Sequence, residues 1–578
     1  MDKLLEKIIA TCTSANPEAL QDLHSFSIRN KAEFWNAATG LFHWEKPHTK
    51  LYESAVGAKR WFVGAEIDYF KSLFWGKDLN QEALVVYNKT GKRKSYTFGE
   101  LQQEIQRLAV VLLDRGMKPG DRLLICIEDR ELSLLLNLAS LSIGVIFGNV
   151  YFRFPNAMVE ELAALMNPDF VVYENTGRES LGSCPDFSKL PSLKEVVFVD
   201  EIQVVVGKSV SALPDLLSTE STTEFSSFAH KATEPTNILF SSGTTAHPKL
   251  FWRGTAGGVL CNMLDALILF CGEGVGAAWI DLDFAWVPTF AWVYPVLSLG
   301  QKLVIDKRNF HLGVAYTYEV CEKEKIGAIS FPQIFLEAGE ANKIPKPYQI
   351  KKLSFAGSKL TELMTKECLR FFDLNNLTVI NELGSSELGA CSFLNPIEGD
   401  LLKTDWNLLQ PFLGLEYRIN PDGRLLFKNE FPSFTPGIIN GEERYRKLWS
   451  EDFEWFITED VAREERGRIK ILGRADNFIK VKSRMLDIVF LESEVKKITG
   501  IREAKLLSLD KEKQVLILFL EADSLDGLRQ QVEVAITQNI GSYALPQEII
   551  LLEKFPRGAA GKISFSELKE CYEKNIIN

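Results

Sequence analysis

One run of small hydroxyl residues ending in a lysine is the stretch of this sequence best suited to chemistry: Ser241-Ser242-Gly243-Thr244-Thr245-Ala246-His247-Pro248-Lys249. It follows directly on the apolar segment Asn237-Ile-Leu-Phe240, which reads as a buried strand. Small side chains let backbone N–H groups approach phosphate oxygens, hydroxyls add donors, and Lys249 supplies a point charge. The Gly-x-x-x-x-Gly-Lys spacing of a P-loop is absent, and a Ser/Thr-rich turn by itself is most often only a turn. The net charge of −11 sharpens the point: the overall field repels anions, so an anionic ligand must be held locally, and nucleic acid is not an expected partner.

Further along, other blocks fall in a fixed order. They are Asn381-Glu-Leu-Gly384-Ser385-Ser386-Glu387, Phe456-Ile-Thr458-Glu459-Asp460, Gly473-Arg474-Ala-Asp476-Asn-Phe-Ile-Lys480 and Pro556-Arg-Gly558-Ala-Ala-Gly561-Lys562-Ile563. Together with the hydroxyl-rich loop they resemble the signature blocks of the adenylate-forming superfamily, the acyl-coenzyme A synthetase and AMP-binding enzymes. Phe34-Trp35, Leu41-Phe-His-Trp44, Lys59-Arg-Trp61-Phe62 and Gly441-Glu-Glu-Arg444-Tyr445 leading to Trp449 resemble the acetyl-, propionyl- and acetoacetyl-coenzyme A synthetase branch.

The resemblance implies a reaction: a carboxylic acid and ATP give acyl-AMP and pyrophosphate, and the acyl group then passes to a thiol. It also implies roles. Ser241, Ser242, Gly243, Thr244 and Thr245 would hold the β- and γ-phosphates, with Lys249 positioning the loop. Thr244 or Thr245 together with Glu387 would carry Mg²⁺, an all-oxygen donor set of the kind that ion takes. Gly384, Ser385 and Ser386 belong to the same nucleotide-binding block. Asp460 would accept from both ribose hydroxyls, and Arg474 would reach the ribose or a phosphate. Lys562 would neutralise charge on the α-phosphate in the transition state. Asp476 falls at the family's hinge, and Lys480 with the Lys482-Ser483-Arg484 run would move between the two half-reactions.

Four positions depart from the family pattern. Ala246, Glu459 and Ser483 each stand where a glycine is usual, and Gly558 stands where a threonine is usual. Glu459 puts an extra carboxylate beside the ribose site, and Ser483 narrows the approach of pantetheine, which makes coenzyme A a conditional cofactor. Acetate-restricted members carry a tryptophan where this chain has Gly384, so a larger acid is expected. The aromatic run Trp279, Phe284, Trp286, Phe290, Trp292 and Tyr294 reads either as the lining of that acid pocket or as ordinary core. Three functions remain open: an acyl-coenzyme A synthetase, an acyl-adenylate ligase donating to a carrier-protein thiol or an amine, and a diverged non-catalytic nucleotide-binding homologue.

The elements that must position these loops alternate along the chain. Phe98 to Arg115 has helical apolar spacing, stops at Gly116 and leads to the apolar run Leu123 to Ile127. Val159 to Tyr173 repeats the pattern, which predicts parallel α/β layers. A chain of 578 residues with 46% hydrophobic composition is too long for one core. The expected fold is α/β. A large multi-subdomain N-terminal domain, residues 1–475, has parallel-rich sheets sandwiched by helices. It includes an acetyl-coenzyme-A-synthetase-like segment at 1–95 and a small β-rich subdomain at about 415–475. A smaller, mobile α+β C-terminal domain covers 476–578. Leu213 to Glu234 reads as a surface linker. Leu132 to Val150 is uncharged but is interrupted by Asn137, Gly144 and Gly148, so no membrane span is expected. Nine scattered cysteines without a Cys-x-x-Cys pair, and no signal-like N-terminus, point to a cytoplasmic protein. Oligomeric state is not legible.

Overall fold

The computed structural model describes residues 3–175, 184–200, 202–241, 248–280, 283–306, 313–330, 350–356, 372, 377–397, 401, 404–475, 478–481, 484–510, 515–524, 527–556, 563, 567–570 and 572. Its chain forms two compact units. The first comprises Met1–Arg418, Leu426–Ile457 and Glu464–Lys470; the second comprises Ile419–Leu425, Thr458–Arg463 and Ile471–Asn578.

In the first unit, local sequence signals set the helix ends. The helix Phe98–Asp114 opens with a capping box between Thr97 and Glu100, so two orphan N–H groups are satisfied reciprocally. It closes into Gly116, whose φ of 79° is the left-handed conformation that glycine adopts without cost. Asp129 caps the helix Arg130–Ser142 through Leu132 N–H, and the strand Ile146–Asn149 follows, so the uncharged stretch is a buried helix and strand. Among the described residues no helix is long and apolar enough to cross a membrane.

The strand Ile146–Asn149 belongs to a seven-stranded sheet of the first unit, ordered Ser209–Ala212, Glu195–Phe198, Phe170–Tyr173, Arg122–Cys126, Ile146–Asn149, Asn237–Ser241, Lys249–Arg253. Its strands are parallel except for the last pair. A second sheet in the same unit runs Leu408–Pro411, Cys391–Ile397, Thr378–Gly384, Lys352–Ala356, Ile326–Ser330, Ala277–Ile280, Lys302–Asp306, Glu82–Tyr87, Arg93–Thr97. Its central pairs are parallel and its margins antiparallel. The strand Thr378–Gly384 ends where the Gly384–Glu387 block begins, so the sheet delivers that loop at a strand's C-terminal end, the usual place for ligand loops in parallel sheets.

The helix Ala256–Phe270 is buried along nearly all its length and packs against the helices Lys3–Ser14 and Val287–Ser298. Such all-round apolarity marks a core helix, and each fully buried Leu or Ile there contributes about 1.5–3 kcal/mol. The segment expected as a linker carries a short helix, Leu213–Ser218, and a strand, His230–Lys231; that strand pairs with Glu66–Ile67 and draws this polar chain onto the N-terminal segment. None of the seven cysteines among the described residues is in a disulfide, and all but Cys184 are buried.

The second unit holds a three-stranded sheet, Glu503–Asp510, Val515–Glu521 and Glu548–Leu552, with the first pair antiparallel and the second parallel. The helices Ile488–Lys496 and Leu528–Asn539 cover it through Leu491, Val495, Val532 and Ile536, which meet Leu516, Leu518 and Leu520 in one core. A separate hairpin pairs Phe478–Val481 with Arg484–Asp487.

Candidate functional site

The hydroxyl-rich loop is the connection of a β-hairpin. Asn237–Ser241 and Lys249–Arg253 pair antiparallel, and Ser241 stands opposite Lys249 at the mouth of the loop. The ladder fixes the two ends of the run in register, so Lys249 enters half-buried on a strand. Ser242, Gly243, Thr244, Thr245 and Ala246 lie outside the described residues.

Bordering the two strands of this hairpin is a partly open pocket with a cavity volume of about 50 Å³. Phe147, Phe284, Trp286, Phe290 and Tyr294 give it an aromatic wall, and Asn149, Asn262 and Arg253 supply polar edges. The aromatic run therefore divides. Phe284, Trp286, Phe290 and Tyr294 face the cavity, whereas Trp279 belongs to the sheet's core cluster and Trp292 is buried with its indole N–H donated to Asp265 Oδ2 at 2.8 Å. Gly384 is exposed and is not among the cavity's lining residues.

The Gly384–Glu387 block closes on itself. Leu388 N–H donates to Ser385 Oγ at 3.2 Å and Gly389 N–H to the Ser385 carbonyl at 2.7 Å. Ser386 and Glu387 are partly buried. The Glu387 carbonyl accepts from Thr435 N–H at 2.8 Å and from Arg253 Nη1 at 3.3 Å, so among the described residues the loop is anchored through this backbone oxygen. Tyr445, from the Gly-Glu-Glu-Arg-Tyr motif, backs the same region: its hydroxyl donates to the Thr435 carbonyl at 2.8 Å and accepts from Ala58 N–H at 2.9 Å.

Sequence reasoning missed two buried groups here. Arg253 is buried and its fork meets acceptors on Glu387, Leu388 and Ser433; burial draws its pKa down to about 10. Asp265, on the apolar helix, sits with Glu382 and Cys391 in a buried cluster. Burial pushes both carboxyls well above the ordinary carboxylate range, and the negative charge of Asp265 raises Glu382 further. A lone acid inside Ala256–Phe270 was the available signal for the second group; nothing in the sequence marks Arg253.

In the second unit, Thr458 Oγ donates to the Leu425 carbonyl at 2.7 Å and accepts from Asp460 N–H at 3.1 Å, which fixes the backbone before Asp460. Arg474, on the strand Arg468–Arg474, makes an ion pair with Glu459, and its Nη1 lies 3.8 Å from Asp460 Oδ1. Glu459, Asp460 and Arg474 are therefore brought together. Lys480 sits on the strand Phe478–Val481 opposite Met485. Asp476, Ser483, Gly558 and Lys562 lie outside the described residues.

Residues 76–429 match the family model described as AMP-binding enzyme, and residues 20–71 match the one described as acetyl-coenzyme A synthetase N-terminus. The chain is 24% identical to an acetyl-coenzyme A synthetase of Mycolicibacterium smegmatis, an alignment covering 97% of this chain and 65% of that protein, so the chain spans less than two thirds of that relative's length. Among solved structures it is similar to the acetoacetyl-CoA synthetase from Streptomyces lividans, with a TM-score of 0.78, 19% identity, and coverage of 98% of this chain and 94% of that one. It is also similar to the O-succinylbenzoate coenzyme A synthetase from Bacillus subtilis in complex with AMP, with a TM-score of 0.68, 16% identity, and coverage of 87% and 98%.

Proposed function

The chain belongs to the AMP-binding enzyme family, and from that membership we propose that it is an AMP-forming carboxylic acid ligase of the acyl-coenzyme A synthetase type, acting on an acid larger than acetate. The observation that carries the reading is the cavity beside the Ser241–Lys249 hairpin, with its aromatic wall and few polar edges. A pocket of that character suits the apolar body of an acid, and the strands that border it flank the hydroxyl-rich run expected to hold the phosphates of ATP.

The chemistry follows from where charge builds. A carboxylate oxygen of the acid attacks the α-phosphorus of ATP, forming the acyl–phosphate bond as the bond to pyrophosphate breaks. Two anions must meet in this step. The backbone and hydroxyls of Ser241 to Thr245 would hold the β- and γ-phosphates, Asp460 the ribose hydroxyls, and Lys562 would neutralise the α-phosphate oxygens as negative charge grows there. Glu387 and Thr244 would hold Mg²⁺: both donors are oxygen, and among the described residues the Glu387 loop is anchored through its backbone carbonyl. That ion supplies charge neutralisation on the phosphates when bound. In the second half-reaction the sulfur of coenzyme A would attack the acyl carbon and release AMP, with the thiol proton passing to solvent.

The test is acid-dependent exchange of labelled pyrophosphate into ATP across a panel from acetate to aryl acids. The reading expects exchange with medium or aryl acids and little with acetate. Exchange with acetate alone would overturn the substrate class.

A further inference from the structure

The guanidinium of Arg253 is held by acceptors on the loop that carries the proposed metal ligand and on Ser433. Its Nη1 donates to the Ser433 carbonyl at 2.9 Å and to the Glu387 carbonyl at 3.3 Å; its Nη2 donates to the Leu388 carbonyl and to Ser433 Oγ at 3.3 Å. Ser433 Oγ in turn donates to the Leu388 carbonyl at 2.7 Å. Arg253 is the last residue of the strand Lys249–Arg253, whose first residue ends the phosphate hairpin. One side chain thus ties the hairpin's strand to two consecutive carbonyls at Glu387 and Leu388 and to the chain at Ser433.

The backbone is shaped to admit this group. Gly389 has a φ of 61°, and a Cβ there would stand 1.9–2.1 Å from the guanidinium atoms, so only glycine fits beside Arg253. Burying a guanidinium is costly unless its donors are met, and here Nη1 and Nη2 each donate twice to backbone and hydroxyl oxygens. A planar fork can reach acceptors in several directions from a fixed plane, whereas a lysine ammonium would serve one cluster and leave the remaining carbonyls without a donor.

We infer that Arg253 is a positioning residue for the adenylation step: it fixes the Glu387 carboxylate relative to the phosphate hairpin by clamping the backbone of residues 387 and 388. This rests on the reading of Glu387 as a magnesium ligand. Because Arg253 also borders the acid cavity, a loss of acid binding alone is the competing account.

The experiment separates them. R253K, R253Q and G389A are made in the full chain, and pyrophosphate exchange is titrated against free Mg²⁺, MgATP and acid. G389A keeps every charge and only displaces the fork. Clamping predicts that half-saturation for Mg²⁺ and MgATP rises by about 10-fold in all three, with R253K intermediate, while that for acid shifts far less. Thermal unfolding reports which variants fold. If the Arg253 variants do not fold, G389A and S433A carry the test, since each loosens the clamp without removing the buried charge. Unchanged Mg²⁺ and MgATP dependence in a folded variant, or a shift confined to acid, overturns the inference. Calorimetric titration of MgATP onto the same variants reads the clamp without turnover. Failure of wild-type exchange with every acid would therefore count against the proposed function alone.

Discussion

Glu459 and Arg474 form an ion pair in which the same guanidinium stands 3.8 Å from Asp460. The glutamate occupies the position where the family carries glycine, so the cation expected to meet the nucleotide is already engaged by a neighbouring carboxylate. Both side chains are 38% exposed, and a pair so open to water contributes at most about 1 kcal/mol.

E459G or E459Q should therefore release Arg474 and remove a negative charge beside the ribose site. AMP and ATP binding, measured by calorimetry, is expected to tighten by up to about 5-fold, with little change in the unfolding midpoint. Weaker binding would mean that Glu459 itself contacts the nucleotide.

Asp265 and Glu382 make stability depend on pH. Burial raises both carboxyls above their ordinary values of 3.8 and 4.5, so the folded state keeps protons that the unfolded chain has released. Their contribution is complete below the ordinary range and declines as pH climbs from about 4 through the raised folded values. E382Q keeps a neutral partner for Asp265 and removes one titration, so denaturant titrations from pH 5 to pH 9 should show a shallower decline than in the wild type. An unchanged slope would contradict the pairing.

Gly384 does not line the aromatic cavity, so a large side chain there distinguishes an acyl site that extends to the Gly384 block from one confined to the cavity. Its surroundings are open on one side, and an added Cβ would meet only the Ala390 carbonyl, at 3.1 Å, so a side chain can be built there with a small adjustment. G384W should lower exchange with the largest accepted acids by at least about 10-fold while sparing short ones. An unaltered acid profile would place the acyl group elsewhere.

Ser483 offers a test of the acceptor. With preformed acyl-AMP, S483G should speed release of AMP in the presence of coenzyme A if the hydroxymethyl group crowds the pantetheine path. No effect would move attention to a carrier-protein thiol or an amine.

The sequence showed the alternation of helices and strands because each has a local signal: the capping box at Thr97 and Glu100, the stop at Gly116, and Asn167 closing its helix in the left-handed conformation. The signature blocks were legible because short loops with special backbone needs restrict residue type. Arg253 was not, since its acceptors lie more than a hundred residues away and a buried arginine has no periodicity. Trp279 and Trp292 could not be told from Trp286 by type, because core and cavity wall ask for the same apolar surface; only the packing separates them. The Glu459–Arg474 pair was half visible: the extra carboxylate could be read, its partner could not.

The most direct test of the account is pyrophosphate exchange into ATP with the acid panel, run with and without coenzyme A. Carboxylate activation predicts exchange that requires an acid and Mg²⁺, favours acids larger than acetate, and is lost in K562A. Tight ATP or AMP binding with no exchange for any acid would contradict it and identify the chain as a nucleotide-binding homologue without ligase activity.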